Sequence, residues 1–177
     1  MCTVITHPAV PIALSALLPQ EAASSSLLIA AALCSVIPDL DVVGLEFGIK
    51  YGDMLGHRGF THSIFFAALL AAVVTLAFFH DHGNRLTVFL FLFLSTLSHP
   101  VLDALTNGGL GVGLFAPFSN ERYFFTYRPI EVSPIGVSAF FSHRGVKVML
   151  SELKWVWLPS AIFFGLGHLF KRMRDLS

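Results

Sequence analysis

Charge is what this chain has least of. Asp, Glu, Lys and Arg make up 12% of its 177 residues, against roughly 25% in an ordinary soluble domain. A soluble protein would need more charge to cover its surface, so that class is set aside. There is no excess of either sign: eleven basic and eleven acidic residues give a formal net charge of zero. Nothing here offers the basic patch that nucleic-acid binding requires. Cysteine is limited to Cys2 and Cys34, which lack metal-ligand spacing and lie in apolar surroundings, so both are read as unpaired thiols. The N-terminus lacks a basic region and proline interrupts its first apolar run, which argues against a cleavable signal peptide. Internal repeats and low-complexity linkers are also missing.

What is present is apolar. Hydrophobic residues make up 55% of the chain, Phe alone accounts for 18 positions, and mean hydropathy is +0.74. The expected fold is all-α: a polytopic membrane helix bundle with about 4–5 apolar helices, a full span needing roughly 20 residues. Residues 8–18 are short and broken by Pro19, and a second short segment runs from Ser24 to Pro38. Neither reaches a full span alone; together they suggest a hairpin or a tilted pair. A loop is expected from Asp39 to Gly56. Helices follow from about Thr61 to Phe79 and from about Leu86 to Leu105, the clearest spanning elements, joined by the polar turn HDHGNR at 80–85. Residues 106–152 are rich in glycine, proline and polar groups and form an extramembrane insertion covering the site. The last apolar segment runs from Lys154 or Trp155 to Phe170. The whole chain, 1–177, is read as one membrane-embedded domain.

Connectivity then brings the polar residues together. The basic tail of Lys171, Arg172 and Arg174 favours a cytoplasmic C-terminus. Counting back through the spans puts His7, Asp39, Asp41, His57, His62, His99 and Asp103 at one face, the extracytoplasmic one. Arg122, Arg128, Arg144 and Lys147 oppose that orientation but not the convergence. His80 and His82 fall at the other face, as an interfacial turn, and His168 near the end of the last span is read as structural.

The chemistry at the shared face is that of a metal site. His99 and Asp103 are four apart, on one side of a helix. Both reach one metal, or Asp103 orients His99 from behind. Asp39 and Asp41 flank Leu40, and in an extended stretch both carboxylates point to one face. His57 and His62 belong to HRGFTHS at 57–63. Imidazoles with carboxylates suit zinc foremost, with manganese or iron as alternatives, as one or two divalent ions. Arg58 either neutralises Asp39 or Asp41 or holds a phosphate oxygen. His143, Glu131 and Glu152, in or beside the insertion, are further candidates to enter the site. Taken singly each residue has an ordinary structural use: Asp39 ends a helix, His62 caps one, Gly59 permits a turn.

Four stretches, THPAVP at the start, PDLD at 38–41, HRGFTHS at 57–63 and SHPVLD at 98–103, together with FAPFS at 115–119 and RPIEVSP at 128–134, resemble the YdjM-like family of bacterial and archaeal inner-membrane proteins. The resemblance covers most of the chain. It implies a membrane-bound metal-dependent hydrolase and, more remotely, a likeness to zinc-dependent phospholipase C enzymes. It makes His7, Asp39, His62, His99 and Asp103 the leading ligands, with Asp41 and His57 next.

The expected activity is hydrolysis of a phosphoester or ester in a membrane lipid or lipid-linked substrate. Asp39 or Asp41 would accept a proton from water, and Arg58, Arg122 or Arg128 would steady the developing negative charge. The alternatives are a metal-binding transporter or sensor, or a structural membrane protein with a stabilising metal.

Overall fold

The structure, a computed structural model, describes residues 1–82, 84–134, 141–174 and 176. Gly83 of the 80–85 turn and residues 135–140 of the expected insertion lie outside the described residues. The fold is all-α. Among the described residues, β-pairing is limited to the isolated bridges Thr106–Ile130 and Val112–Tyr123.

The first helix, α1, is Ala9–Leu14, extended by a 3-10 turn over Ser15–Leu17. Helix α2 is Ser25–Cys34, and the Ser24 hydroxyl at its start accepts a hydrogen bond from the Leu27 amide, satisfying one of the free first-turn donors. Beyond Pro38 the sequence suggests a loop, but the chain stays helical. A 3-10 stretch covers Ile37–Phe47 and ends at Gly48, whose φ of 81° favours glycine. Pro38 sits in its first turn, where the missing proline N–H costs nothing. Ser25–Phe47 thereby becomes a 23-residue apolar stretch long enough to cross a membrane.

Helix α3, Ile64–Phe78, has 15 residues, or roughly 22 Å at 1.5 Å per residue. That is less than the spanning helix expected over 61–79. The shortening has a local cause: Phe60–His62 form a 3-10 turn, and Ser63, not His62, caps α3 by accepting from the Phe66 amide. Helix α4 is Arg85–Ala104, capped by Asn84 and carrying Pro100 near its end. Helix α5, His143–Glu152, continues through a π-helical turn at Leu153–Trp157 into α6, Leu158–Arg174. The last part of the expected insertion is thus helix, and His143–Arg174 is a third stretch long and apolar enough to cross a membrane.

Small residues set the helix spacing. Ala31 of α2 and Ala67 and Ala71 of α3 are buried, and such residues let backbones approach closely where lipid supplies no hydrophobic drive. Ala31 and Ala71 join Leu27, Val88 and Leu92 in the main apolar cluster. A Cβ on Gly167 would lie 2.7 Å from the Ala16 Cβ, so α6 packs closely on the 3-10 turn that follows α1. Elsewhere α6 buries no residue and presents Ile162, Leu166 and Phe170 outward, as a lipid-facing helix does.

The two ends of the bundle are chemically distinct. At one end Lys171 donates to the Leu18 carbonyl, and Pro19, Ala22, His82, Asn84 and Thr87 line one cleft. At the other, Glu152 accepts from Thr3 and Thr6, and the Trp157 indole N–H donates to the Thr6 hydroxyl. The beginning of α1, the 3-10 stretch after α2, the start of α3 and the end of α4 meet at this second end.

Candidate metal centre

A tight turn builds the site. Arg58 adopts φ 64°, rare for a residue with a side chain. Beside it, a Cβ on Gly59 would lie 2.1 Å from the Met54 carbonyl oxygen, so only glycine fits. This turn presents His57, the Arg58 amide, Thr61 and His62 to Asp41. The Asp41 carboxylate contacts His57 Nδ1 at 2.6 Å, the Arg58 amide at 3.1 Å and the Thr61 hydroxyl at 2.6 Å. It also lies 3.1 Å from His62 Nδ1.

Asp39 and Asp41 do not share a face. The stretch is a 3-10 helix, with about three residues per turn, so positions two apart diverge. They take opposite edges of the His62 ring instead: Asp41 at Nδ1, and Asp39 Oδ1 at 3.7 Å from Nε2. The extended-strand expectation fails because the chain remains helical past Pro38.

Helix α4 supplies the other half. His99 Nδ1 lies 2.7 Å from the Ser35 carbonyl, which only accepts, so Nδ1 carries the proton and Nε2 offers a lone pair. That Nε2 is 3.0 Å from His62 Nε2 and 3.4 Å from Asp39 Oδ1. Asp103, one turn on, places Oδ2 3.6 Å from His62 Nε2. With Nδ1–H of His62 directed at Asp41, the neutral ring also offers a lone pair at Nε2. Two imidazole lone pairs and two carboxylate oxygens therefore face one point, an arrangement that repels itself unless a proton or cation lies between.

Burial sharpens the point. His62, His99 and Asp103 have no exposed surface and Asp39 retains 4%. Both Asp39 oxygens and Asp103 Oδ2 lack a hydrogen-bond partner, which is costly for buried carboxylates. One ligand atom from each of these four residues lies within 4.8 Å of the others, close enough to hold a metal ion. The edges of a tetrahedral zinc site with bonds of about 2.0–2.1 Å are roughly 3.4 Å, so the donor set fits.

A second group, Asp41, His57 and His62, also lies within metal-binding reach. Its atoms already hydrogen-bond one another, and Asp41 on His62 Nδ1 has the geometry of a carboxylate that orients a metal-binding imidazole. His7 lies on the far side of the centre. Its Nε2 is 3.9 Å from Asp39 Oδ2 and 4.0 Å from Asp103 Oδ1, and its ring stacks on His99 at 3.7 Å.

Arg58 is fully buried. Its Nε lies 3.0 Å from Asp103 Oδ2, an ion pair in distance though not aligned as a hydrogen bond. Its remaining nitrogens donate to the Gly108 carbonyl and the Thr106 hydroxyl. The guanidinium thus neutralises Asp103, rather than the expected Asp39 or Asp41. Arg122 donates to the carbonyls of His57, Tyr51 and Asp53, tying down the turn. Arg128 is exposed over the Phe124 ring.

Outside the centre, Glu152 holds the N-terminal turn, while Glu131 and His143 are exposed and remote from both groups. His80 pairs with Asp81 in solvent at the opposite end, and His168 is exposed on α6 beside Phe164. Thr61, Thr106 and the Ser35 carbonyl are supporting groups that sequence reasoning missed. Thr61 lies inside HRGFTHS and Thr106 directly follows the SHPVLD helix, which is the only signal either carries.

Burial pushes the His7 pKa down to about 3. For His62, burial acts the same way, but the Asp39 and Asp41 carboxylates on either edge of the ring favour its protonated form, outweigh burial and raise the pKa to about 9.

An apolar helical bundle with buried imidazoles and carboxylates gathered at one end defines an integral membrane protein whose buried cluster can hold a metal ion. The chain belongs to the YdjM inner membrane protein family, matching it over residues 1–174. It is 41% identical over 169 residues to the Inner membrane protein YbcI of Escherichia coli (strain K12), covering 94% of this chain and 96% of that protein. No solved structure matches the chain.

Proposed function

We propose that this inner-membrane protein is a metal-dependent hydrolase of a phosphoester or ester in a lipid or lipid-linked substrate. The observation that carries this reading is the convergence of His62 Nε2, His99 Nε2 and one oxygen each of Asp39 and Asp103 on a single buried point. Zinc suits that donor set best, and manganese or iron are compatible with it. A bound divalent cation would polarise an ester or phosphoryl oxygen and acidify water beside it. Asp39, whose oxygens have no other partner, holds the cation. Asp41, engaged by His57, the Arg58 amide and Thr61, keeps His62 in the required tautomer. Arg58 fixes Asp103 and offsets its charge.

The site lies at one end of the bundle, where a lipid head group would enter while its tails stay in the bilayer. The basic residues of the tail sit at the other end, which supports an extracytoplasmic site. Complete burial of three of the four groups favours a second reading, a closed structural metal site. Turnover separates the two. Metal-loaded protein in nanodiscs is offered a panel of phospholipid and lipid-linked phosphoesters. The hydrolase reading expects metal-dependent release of the head group or phosphate, abolished in Asp39→Asn. Bound metal without turnover across the panel would establish the structural reading instead.

A further inference from the structure

Each carboxylate of the centre turns one oxygen towards the His62 and His99 side and the other towards His7; both Asp39 oxygens lack a hydrogen-bond partner, while Asp103 Oδ1 accepts one from the Cys2 amide at 2.7 Å. Asp39 Oδ1 and Asp103 Oδ2 face His62 and His99. Their second oxygens, Asp39 Oδ2 and Asp103 Oδ1, face His7 Nε2 at 3.9 and 4.0 Å. We infer that Asp39 and Asp103 bridge two divalent cations, the second held by His7, in a dinuclear centre that takes a phosphoryl anion. This rests on the reading of the cluster as a metal centre.

Three observations carry it. His7 has no exposed surface, yet neither of its ring nitrogens has a hydrogen-bond partner, and a neutral imidazole ordinarily finds at least one. A first cation at His62 and His99 leaves Asp39 Oδ2 and His7 Nε2 still without partners, side by side. Two ligands each about 2.0–2.2 Å from a cation can be up to roughly 4.2 Å apart, and the distances from His7 lie inside that limit. The third is the stacking of His7 on His99, with centroids 3.7 Å apart and planes 13° from parallel. Two near-parallel imidazoles whose Nε2 atoms face opposite oxygens of one carboxylate direct their lone pairs to points separated by about the stacking distance. Paired catalytic metals sit roughly 3.5–4 Å apart.

Charge decides what accompanies the second ion. Asp39, Asp41 and Asp103 oppose Arg58 and the Met1 amino group beside Asp103, so one divalent cation already offsets the remaining negative charge. A second cation brings an excess of positive charge, which an anion between the metals offsets. A phosphate group has the charge and the oxygen spacing to do so. The Asp41, His57 and His62 group is the rival location for a second ion, but its nitrogens and oxygens are already paired with one another.

Manganese is the probe, because two Mn2+ ions at this separation give an exchange-coupled electron paramagnetic resonance spectrum distinct from that of isolated ions. The intact protein in nanodiscs, saturated with Mn2+ in the presence of inorganic phosphate, is expected to bind two ions per chain and show the coupled spectrum. His7→Ala is expected to bind one ion with an uncoupled spectrum, and His57→Ala to keep the coupling. A single uncoupled ion in the wild-type protein overturns the inference and leaves the mononuclear centre standing. Loss of the second ion in His57→Ala but not in His7→Ala overturns it too. Absence of bound manganese, zinc and iron overturns both readings. The wild-type spectrum decides the matter even where a variant fails to fold.

Discussion

His62 stands between two carboxylates that do different work, and substitutions should separate them. Asp41→Asn replaces the carboxylate that fixes the Nδ1 proton with a neutral amide, a weaker acceptor, so metal affinity should fall about 10- to 100-fold while stoichiometry is kept, as for other groups behind a metal-binding imidazole; competition against a chelating dye measures it. Asp39→Asn should lose binding at the same concentrations, because the carboxylate is itself a ligand. An Asp41→Asn variant as defective as Asp39→Asn would make Asp41 a ligand too. The pH dependence follows from His62. In the metal-free protein its imidazolium persists to about pH 9, above the ordinary value near 6.5, and a metal must displace that proton. Affinity should therefore rise with pH throughout the range below about 9 and level off above it. Calorimetry in buffers of different ionisation enthalpy should show about one proton released per ion near neutral pH, and no release would contradict the assignment. Arg58→Leu leaves Asp103 buried without its counter-charge, a loss of about 3–5 kcal/mol by the usual cost of breaking a buried pair. Thermal unfolding in detergent should shift accordingly, and less so with metal bound.

Among the elements, the HRGFTHS turn carries the tightest demands. Gly59→Ala forces a Cβ into the Met54 carbonyl, so the turn must open and draw His57 and Thr61 off Asp41. Both thermal stability and metal affinity should drop. Ser63→Ala removes only the cap of α3, at about 1 kcal/mol, and should leave metal affinity nearly unchanged; a large affinity loss there would contradict the division between turn and helix. How legible each element is in the sequence follows from its physics. Helix α4 can be read almost to its ends because a long apolar run has one outcome in lipid and because His99 and Asp103 are one turn apart. The 3-10 stretch Ile37–Phe47 is not legible: Asp39, Asp41, Gly44 and Glu46 break the apolar pattern that marks a span, and contacts with His57, His62 and His99 hold it helical. The partner of Arg58 is hidden for the same reason, since only the folded turn brings the guanidinium to Asp103.

At the scale of the whole molecule, the ends of the bundle divide the chemistry: the buried carboxylate and imidazole cluster at one, the basic tail at the other. The sequence shows this division through span lengths and the short 80–85 turn, which return His62 and His99 to one face. The close approach of α6 to Ala16 is invisible there because Gly167 looks like any other small residue in an apolar run. Most direct for the central claim is X-ray absorption at the zinc edge on the zinc-loaded intact protein. The expected spectrum has a nitrogen and oxygen shell at about 2.0–2.2 Å, with outer-shell imidazole scattering that falls in a His62→Ala, His99→Ala double variant. A zinc-free protein, or a spectrum unchanged in that variant, would contradict the account.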